Sequence, residues 1–200
     1  MIEIWLIRHG QTEGNSQGRY IGRRTNEPLS KEGHKHIQAL GYPLQEGLFV
    51  SPMLRCVETA SILFPGQIQY RVPELEECDF GDFENKNYID LTGNPEYQRW
   101  IDSNGTLPFP NGESKAQFRS RSMKGMDKVV SVCMERGWKS ASVVVHGGTI
   151  MHLMDAYASP KRDFYGWHVK NGGGYKIALD PILWEQGEKL FVVKKSFLEG

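Results

Sequence analysis

Two apolar runs in this chain stop at the same kind of residue. Ile4-Trp5-Leu6-Ile7 leads into Arg8-His9-Gly10, and Ser142-Val143-Val144-Val145 leads into His146-Gly147-Gly148. Short unbroken apolar runs suit strands covered on both faces, as in a parallel sheet. In open α/β sheets, ligands bind just beyond the carboxyl ends of the strands. Two such strands in one parallel sheet would bring both histidines to a single edge. Glycines after each histidine allow the tight turns that such an edge needs.

The remaining pattern agrees with a layered α/β fold, because apolar strands alternate with helical periodicity. Leu29, Gly33, Ile37 and Leu40 recur at helical spacing behind Ser30, a good N-cap. The stretch "SPMLRCVETASILF" predicts a helix capped by Ser51 with Pro52 at its first position. "GLFVS" and "QIQYRV" predict strands, Glu113 to Arg136 a long helix, and "GGYKIAL" and "KLFVVKK" two closing strands split by a turn near Asp180 and Pro181. Residues 84–112 mix Asn, Gly and Pro with Tyr88, Tyr97, Trp100 and Phe109, and read as an excursion beside a functional site. A chain of 200 residues fits one domain, taken as 1–200.

Composition narrows the partners. The 24 basic and 24 acidic residues balance, so no global field attracts nucleic acid or anionic membrane. Three cysteines without C-x-x-C spacing argue against a disulfide framework or a zinc knuckle and fit a reducing compartment. No apolar run reaches membrane-spanning length, so the expectation is a cytoplasmic protein acting on a small molecule, as a monomer or homodimer. Arg55 falls in the first turn of a helix on the same sheet edge as Arg8, His9 and His146. Two arginines, two histidines and helix N-termini suit a phosphoryl dianion, since guanidinium forks grip its oxygens bidentately.

These motifs resemble the histidine phosphatase superfamily, also called phosphoglycerate mutase-like. "LIRHGQTEGN" is similar to its R-H-G-x-T-x-x-N signature and "SPMLRCVETA" to its S-x-x-x-R-x-x-[EQ]-T-A segment. "LEECDFGDFEN" resembles its L-x-E-x-x-F-G-x-W-E-G stretch, "VVVHGGTI" its second-histidine motif, and "NEPLSKEG" its D-x-P-L-x-x-x-G loop. The resemblance implies a three-layer α/β/α sandwich around a mostly parallel central sheet. It implies His9 as the nucleophile, Glu77 as the acid for the leaving oxygen, and Arg8, Asn15, Arg55, His146 and the Gly147 N–H as phosphoryl ligands. It implies no metal and no cofactor. The length and "FPNGES" favour the small phosphatases, including α-ribazole phosphatases, with a cofactor-dependent phosphoglycerate mutase and a non-catalytic phospho-ligand module as alternatives.

Other features read plainly. His34 and His36 read as surface residues, His152 as surface or supporting, and His168 as structural. "NGGGY" at 171–175 reads as a flexible turn into a strand, and Glu113 as a first-turn helix residue that could approach the substrate. Cys56 reads as buried packing. The aromatics of 88–109 either stack on a base-like group or pack the excursion down.

Overall fold

The computed structural model describes residues 1–199. Seven strands, β1 (Ile2–Arg8), β2 (Gly47–Val50), β3 (Tyr70–Arg71), β4 (Ser140–Val145), β5 (Ala158–Ser159), β6 (Val169–Leu179) and β7 (Phe191–Glu199), form one sheet in the order β3-β2-β4-β1-β6-β7-β5. β3, β2, β4 and β1 run parallel, and β6 is antiparallel to both of its neighbours. The mostly parallel α/β architecture expected from the sequence is what forms. β1 and β4 are adjacent, with Arg8 opposite Val145, so His9 and His146 leave the sheet side by side.

Alternation along β1 separates two cores. Ile2, Ile4 and Leu6 face α5 (Lys115–Arg136) and α6 (Gly147–Tyr157), while Ile7 faces α2 (Lys31–Gln38) and α3 (Leu54–Leu63). Among the described residues, α1 (Glu13–Ser16), α4 (Pro95–Asp102) and α7 (Pro181–Glu185) complete the α-helices. Ser30 caps α2 as expected, its hydroxyl accepting the Gly33 N–H at 2.9 Å. Among the described residues, no helix is long and apolar enough to cross a membrane.

Several local expectations fail for identifiable reasons. α3 starts at Leu54 behind an extended Met53, so Ser51 and Pro52 do not open it. Ser51 is committed to the site instead. The third strand shrinks to two residues, because only Tyr70 and Arg71 reach β2. α5 begins after Ser114, whose hydroxyl accepts the Gln117 N–H, and this leaves Glu113 outside the helix. Asn171–Tyr175 lies within β6 rather than in a flexible turn, and a Cβ at Gly174 would fall 1.8 Å from the Leu6 carbonyl oxygen. The Asp180-Pro181 turn carries α7, capped by the Asp180 carboxylate.

The excursion is pinned by its own rings. Trp100 stacks on Phe109 at 5.0 Å, and Phe83 meets Tyr97 edge-on at 5.3 Å. Tyr20, on the loop after α1, meets Phe80, Phe83, Tyr97, Trp100 and Phe109 within 6.5 Å. Each such pair adds about 0.5–1.5 kcal/mol beyond area burial. Of the two readings of these aromatics, packing holds for Tyr97, Trp100 and Phe109, whereas Tyr88 is exposed.

Candidate active site

The strand register delivers His9 first. Its backbone N–H continues the β1–β4 ladder to the Val145 carbonyl at 2.9 Å, and its own carbonyl accepts from the Asn171 carboxamide at 3.0 Å. Its Nδ1 lies 2.6 Å from the Gly10 carbonyl oxygen. A carbonyl only accepts, so Nδ1 carries the proton and Nε2 keeps a free lone pair. Burial, then the Arg55 and Arg8 charges, hold the imidazole well below its ordinary pKa despite the Gly10 bond. His9 is therefore a neutral imidazole with one nucleophilic nitrogen.

His146 sits edge-on to it, ring centroids 5.1 Å apart. It is fully buried, and desolvation followed by Arg55 also keeps it neutral. Its Nε2 is 2.7 Å from the Ser51 hydroxyl, which itself receives the Met53 N–H at 3.4 Å. The Ser51 proton is thus free to go to Nε2, which places the His146 proton on Nδ1. Cys56 adds its Sγ at 3.6 Å from Nε2, and burial pushes that thiol up to about 12. It remains a protonated packing group, as its sequence context suggests.

Two guanidiniums share this pocket. Arg55 is fully buried and donates to the carbonyls of Thr25, Ile21 and Gly22 at 2.9, 3.3 and 3.2 Å. Arg8 donates to Val169 O at 2.7 Å and to His168 Nε2 at 3.3 Å, which makes His168 an acceptor there. Neither arginine has a carboxylate ion-pair partner among the described residues, and the Nε of each is buried without an acceptor. Buried cations need anions or strong acceptors. A dianionic phosphoryl group supplies both.

Glu77 closes the other side, only 8 % exposed. Its Oε1 accepts the Cys78 N–H at 2.9 Å, and Oε2 faces the Gly148 N–H at 3.4 Å, the start of α6. Gly148 is needed for that approach, since a Cβ there would fall 2.6 Å from Oε1. Desolvation raises the Glu77 pKa, while the Cys78 bond, Arg55 and Arg8 oppose it. A carboxyl whose pKa is raised by burial, beside two neutral imidazoles, is an acid candidate placed next to a base.

The backbone that holds Glu77 is gripped by Arg121. That guanidinium donates to Glu74 O, Glu76 O and Glu77 O at 3.1, 2.8 and 3.0 Å, and pairs with both oxygens of Glu113. Glu113 also receives the Asp79 N–H at 2.9 Å. Burial works against it, yet the Arg121 bonds keep its carboxyl below the ordinary range. Glu113 is therefore a scaffold anion rather than a spare acid. No sequence signal marked Arg121.

Other expected residues find supporting places. Asn15 closes a capping box in α1, its Oδ1 accepting the Thr12 N–H, so only its NH₂ can face a phosphoryl oxygen. Gly147 abuts the Arg8 guanidinium, where a Cβ would stand 3.3 Å from Nε. His152 is buried rather than on the surface, between Phe118 and Phe164 at 4.9 Å each, and burial takes it down to about 4. Thr59, inside the second motif, anchors the Gly10 N–H at 2.9 Å. Glu84 receives the Gly22 N–H at 3.1 Å and the Thr25 hydroxyl at 2.7 Å, pinning the loop whose carbonyls hold Arg55.

Comparisons with known proteins point to one family. The sequence profile of the histidine phosphatase superfamily (branch 1) matches residues 4–186. An adenosylcobalamin/alpha-ribazole phosphatase of Salmonella typhimurium is 33 % identical over 190 residues, 90 % of each chain. A 2,3-bisphosphoglycerate-dependent phosphoglycerate mutase of Rhizobium etli is 34 % identical over 167 residues, covering 76 % of this chain and 78 % of that one. In fold, the crystal structure of an alpha-ribazole phosphatase from Shigella flexneri superposes with a TM-score of 0.81 at 23 % identity, over 98 % of this chain and 96 % of that one.

Proposed function

Because the chain belongs to the histidine phosphatase superfamily (branch 1), we propose that it is a phosphomonoesterase working through a phosphohistidine. The observation that carries this reading is the His9 ring, neutral, with Nδ1 bonded to Gly10 and Nε2 free beside two guanidiniums. Nε2 attacks phosphorus in line, and the P–O bond to the leaving group breaks. Glu77 gives its proton to that departing oxygen. Arg8, Arg55, the His146 Nδ1 proton, Asn15 and the Gly147 N–H take the charge of the transferred group. Water then attacks phosphorus, returns a proton to Glu77, and frees His9 and inorganic phosphate. Residues 1–200 act as a single catalytic domain, and the phosphoryl charge is met without a metal ion.

The names of the relatives direct the choice of substrate. α-Ribazole 5′-phosphate comes first, because proteins similar along 90 % of this chain are described as acting on it. The mutase reading stands second, supported by the Rhizobium relative. Steady phosphate release from α-ribazole 5′-phosphate, sugar phosphates and 3-phosphoglycerate separates the two. The proposal expects release without a bisphosphate primer. Interconversion of phosphoglycerates that needs the primer and releases no phosphate would overturn it.

A further inference from the structure

Glu77 lies on neither a strand nor a helix. It follows a single turn of 3₁₀ helix, Pro73–Leu75, and among the described residues the carbonyls of Glu76 and Glu77 receive no backbone N–H. Arg121 supplies the missing donors. A guanidinium presents five N–H groups in a fixed fork, and here all five are used. Nη1 donates to Glu74 O and Glu76 O, Nη2 to Glu77 O and Glu113 Oε2, and Nε to Glu113 Oε1, all between 2.7 and 3.1 Å. Glu113 extends the hold past the acid: Oε2 also accepts the Asp79 N–H at 2.9 Å, and the Glu113 N–H donates to Asp79 O at 2.9 Å. The chain on both sides of Glu77 is thus tied to the first turns of α5, a helix of 22 residues. The same guanidinium lies 5.1 Å from the Phe118 ring, and Phe118 backs Gly148, whose N–H faces Glu77 Oε2. Glu113 also cancels the Arg121 charge, which unpaired would favour loss of the Glu77 proton.

We propose that Arg121, with Glu113 as its counter-ion, is the positioning residue for the Glu77 acid and thereby decides which leaving groups the enzyme expels. With the pair in place, esters of ordinary alcohols are cleaved; without it, only esters whose leaving group departs unprotonated. The inference rests on the phosphomonoesterase reading, in which the Glu77 proton passes to the departing oxygen as its bond to phosphorus breaks. That transfer demands hydrogen-bond reach, and a misplacement of about 1 Å costs about 10²-fold. An alkoxide needs the proton, whereas nitrophenolate does not. Arg121 donates to no side chain of the phosphoryl pocket, so attack by His9 does not depend on it.

Two full-length variants test this on ribose 5-phosphate and p-nitrophenyl phosphate, after thermal melts show them folded. Arg121→Lys keeps the charge but offers three donors from one point in place of the fork. Glu113→Gln keeps the shape but can no longer take both arms of the guanidinium. In Arg121→Lys, kcat on ribose 5-phosphate is expected to fall about 10²-fold, with a smaller fall in Glu113→Gln. On p-nitrophenyl phosphate both variants lose much less. Added to Glu77→Gln, neither change costs anything further on ribose 5-phosphate, because a positioning group acts only through the acid. Where Arg121→Lys does not fold, Glu113→Gln decides by the same split. Equal losses on the two esters in a folded variant overturn the proposal. A second readout needs no turnover: the Cys78 and Gly148 amides face the Glu77 carboxyl, and their ¹⁵N NMR signals should move in Arg121→Lys as in Glu77→Gln. Signals that stay in place also overturn it. If no ester is hydrolysed while both amides move, the phosphatase reading fails and the positioning of Glu77 by Arg121 stands.

Discussion

Replacing Ser51 by alanine tests the proton placement at His146. The Ser51 hydroxyl has one proton, is fully buried, and lies 2.7 Å from His146 Nε2 while accepting the Met53 N–H. It therefore selects the tautomer with the proton on Nδ1, the one able to donate to a phosphoryl oxygen. A net hydrogen bond is worth about 0.5–1.5 kcal/mol, so its loss redistributes the tautomers by about 2- to 13-fold. We predict that kcat on p-nitrophenyl phosphate falls by about tenfold in Ser51→Ala. His146→Ala should lose more, about 10²–10³, as for a single oxyanion donor. The double variant decides the mechanism, because residues acting through one another are not additive. If Ser51 works through His146, adding Ser51→Ala to His146→Ala costs nothing further. A further tenfold loss in the double variant would refute the tautomer argument, as would an unchanged rate in the single one.

Other outcomes follow from the same geometry. Glu77→Gln should lower hydrolysis of sugar phosphates by about 10²–10⁴ and of p-nitrophenyl phosphate much less, since nitrophenolate leaves without a proton; equal losses would reduce Glu77 to a positioning group. The same variant should melt higher than wild type at pH 8 and alike at pH 4. The folded carboxyl is raised by burial, so its cost appears as pH climbs above the unfolded value. Acid should destabilise the fold from about pH 6.5 downward, because His9 and His146 stay neutral in the fold while the unfolded chain takes up protons there; denaturant midpoints at pH 7 and pH 5 measure it, and a His9→Gln/His146→Gln protein should show a flatter profile. Excess EDTA should leave turnover intact, since Arg8 and Arg55 supply the positive charge; activity lost to EDTA and restored by magnesium would contradict that.

Much of the site was legible because it hangs on strand ends. The runs into His9 and His146 gave both histidines, and the parallel register of β1 and β4 places them together without help from loops. Arg55 was legible from its place in a first helical turn and Glu77 from the family resemblance, whereas Thr59 and Glu84 lie inside the same motifs unremarked, and their work as anchors of Gly10 and of the Arg55 loop shows only in three dimensions. Ser51 was misread because Ser-Pro is a strong local helix start, and a tertiary partner, His146, outcompeted the cap. Arg121 was invisible: an arginine on a long helix reads as solvated until the Glu113 carboxylate and three carbonyls are seen around it. Asn171–Tyr175 looked like a turn from its glycines, which in fact permit close strand pairing against β1.

The account turns on one nitrogen, His9 Nε2. Rapid mixing of the enzyme with a radiolabelled phosphate monoester, quenching in base, and peptide mass analysis would locate the phosphoryl group. The account predicts base-stable, acid-labile label on the peptide carrying His9, formed within a turnover and absent from His9→Ala. Label on any other residue, or full turnover by His9→Ala, would contradict it.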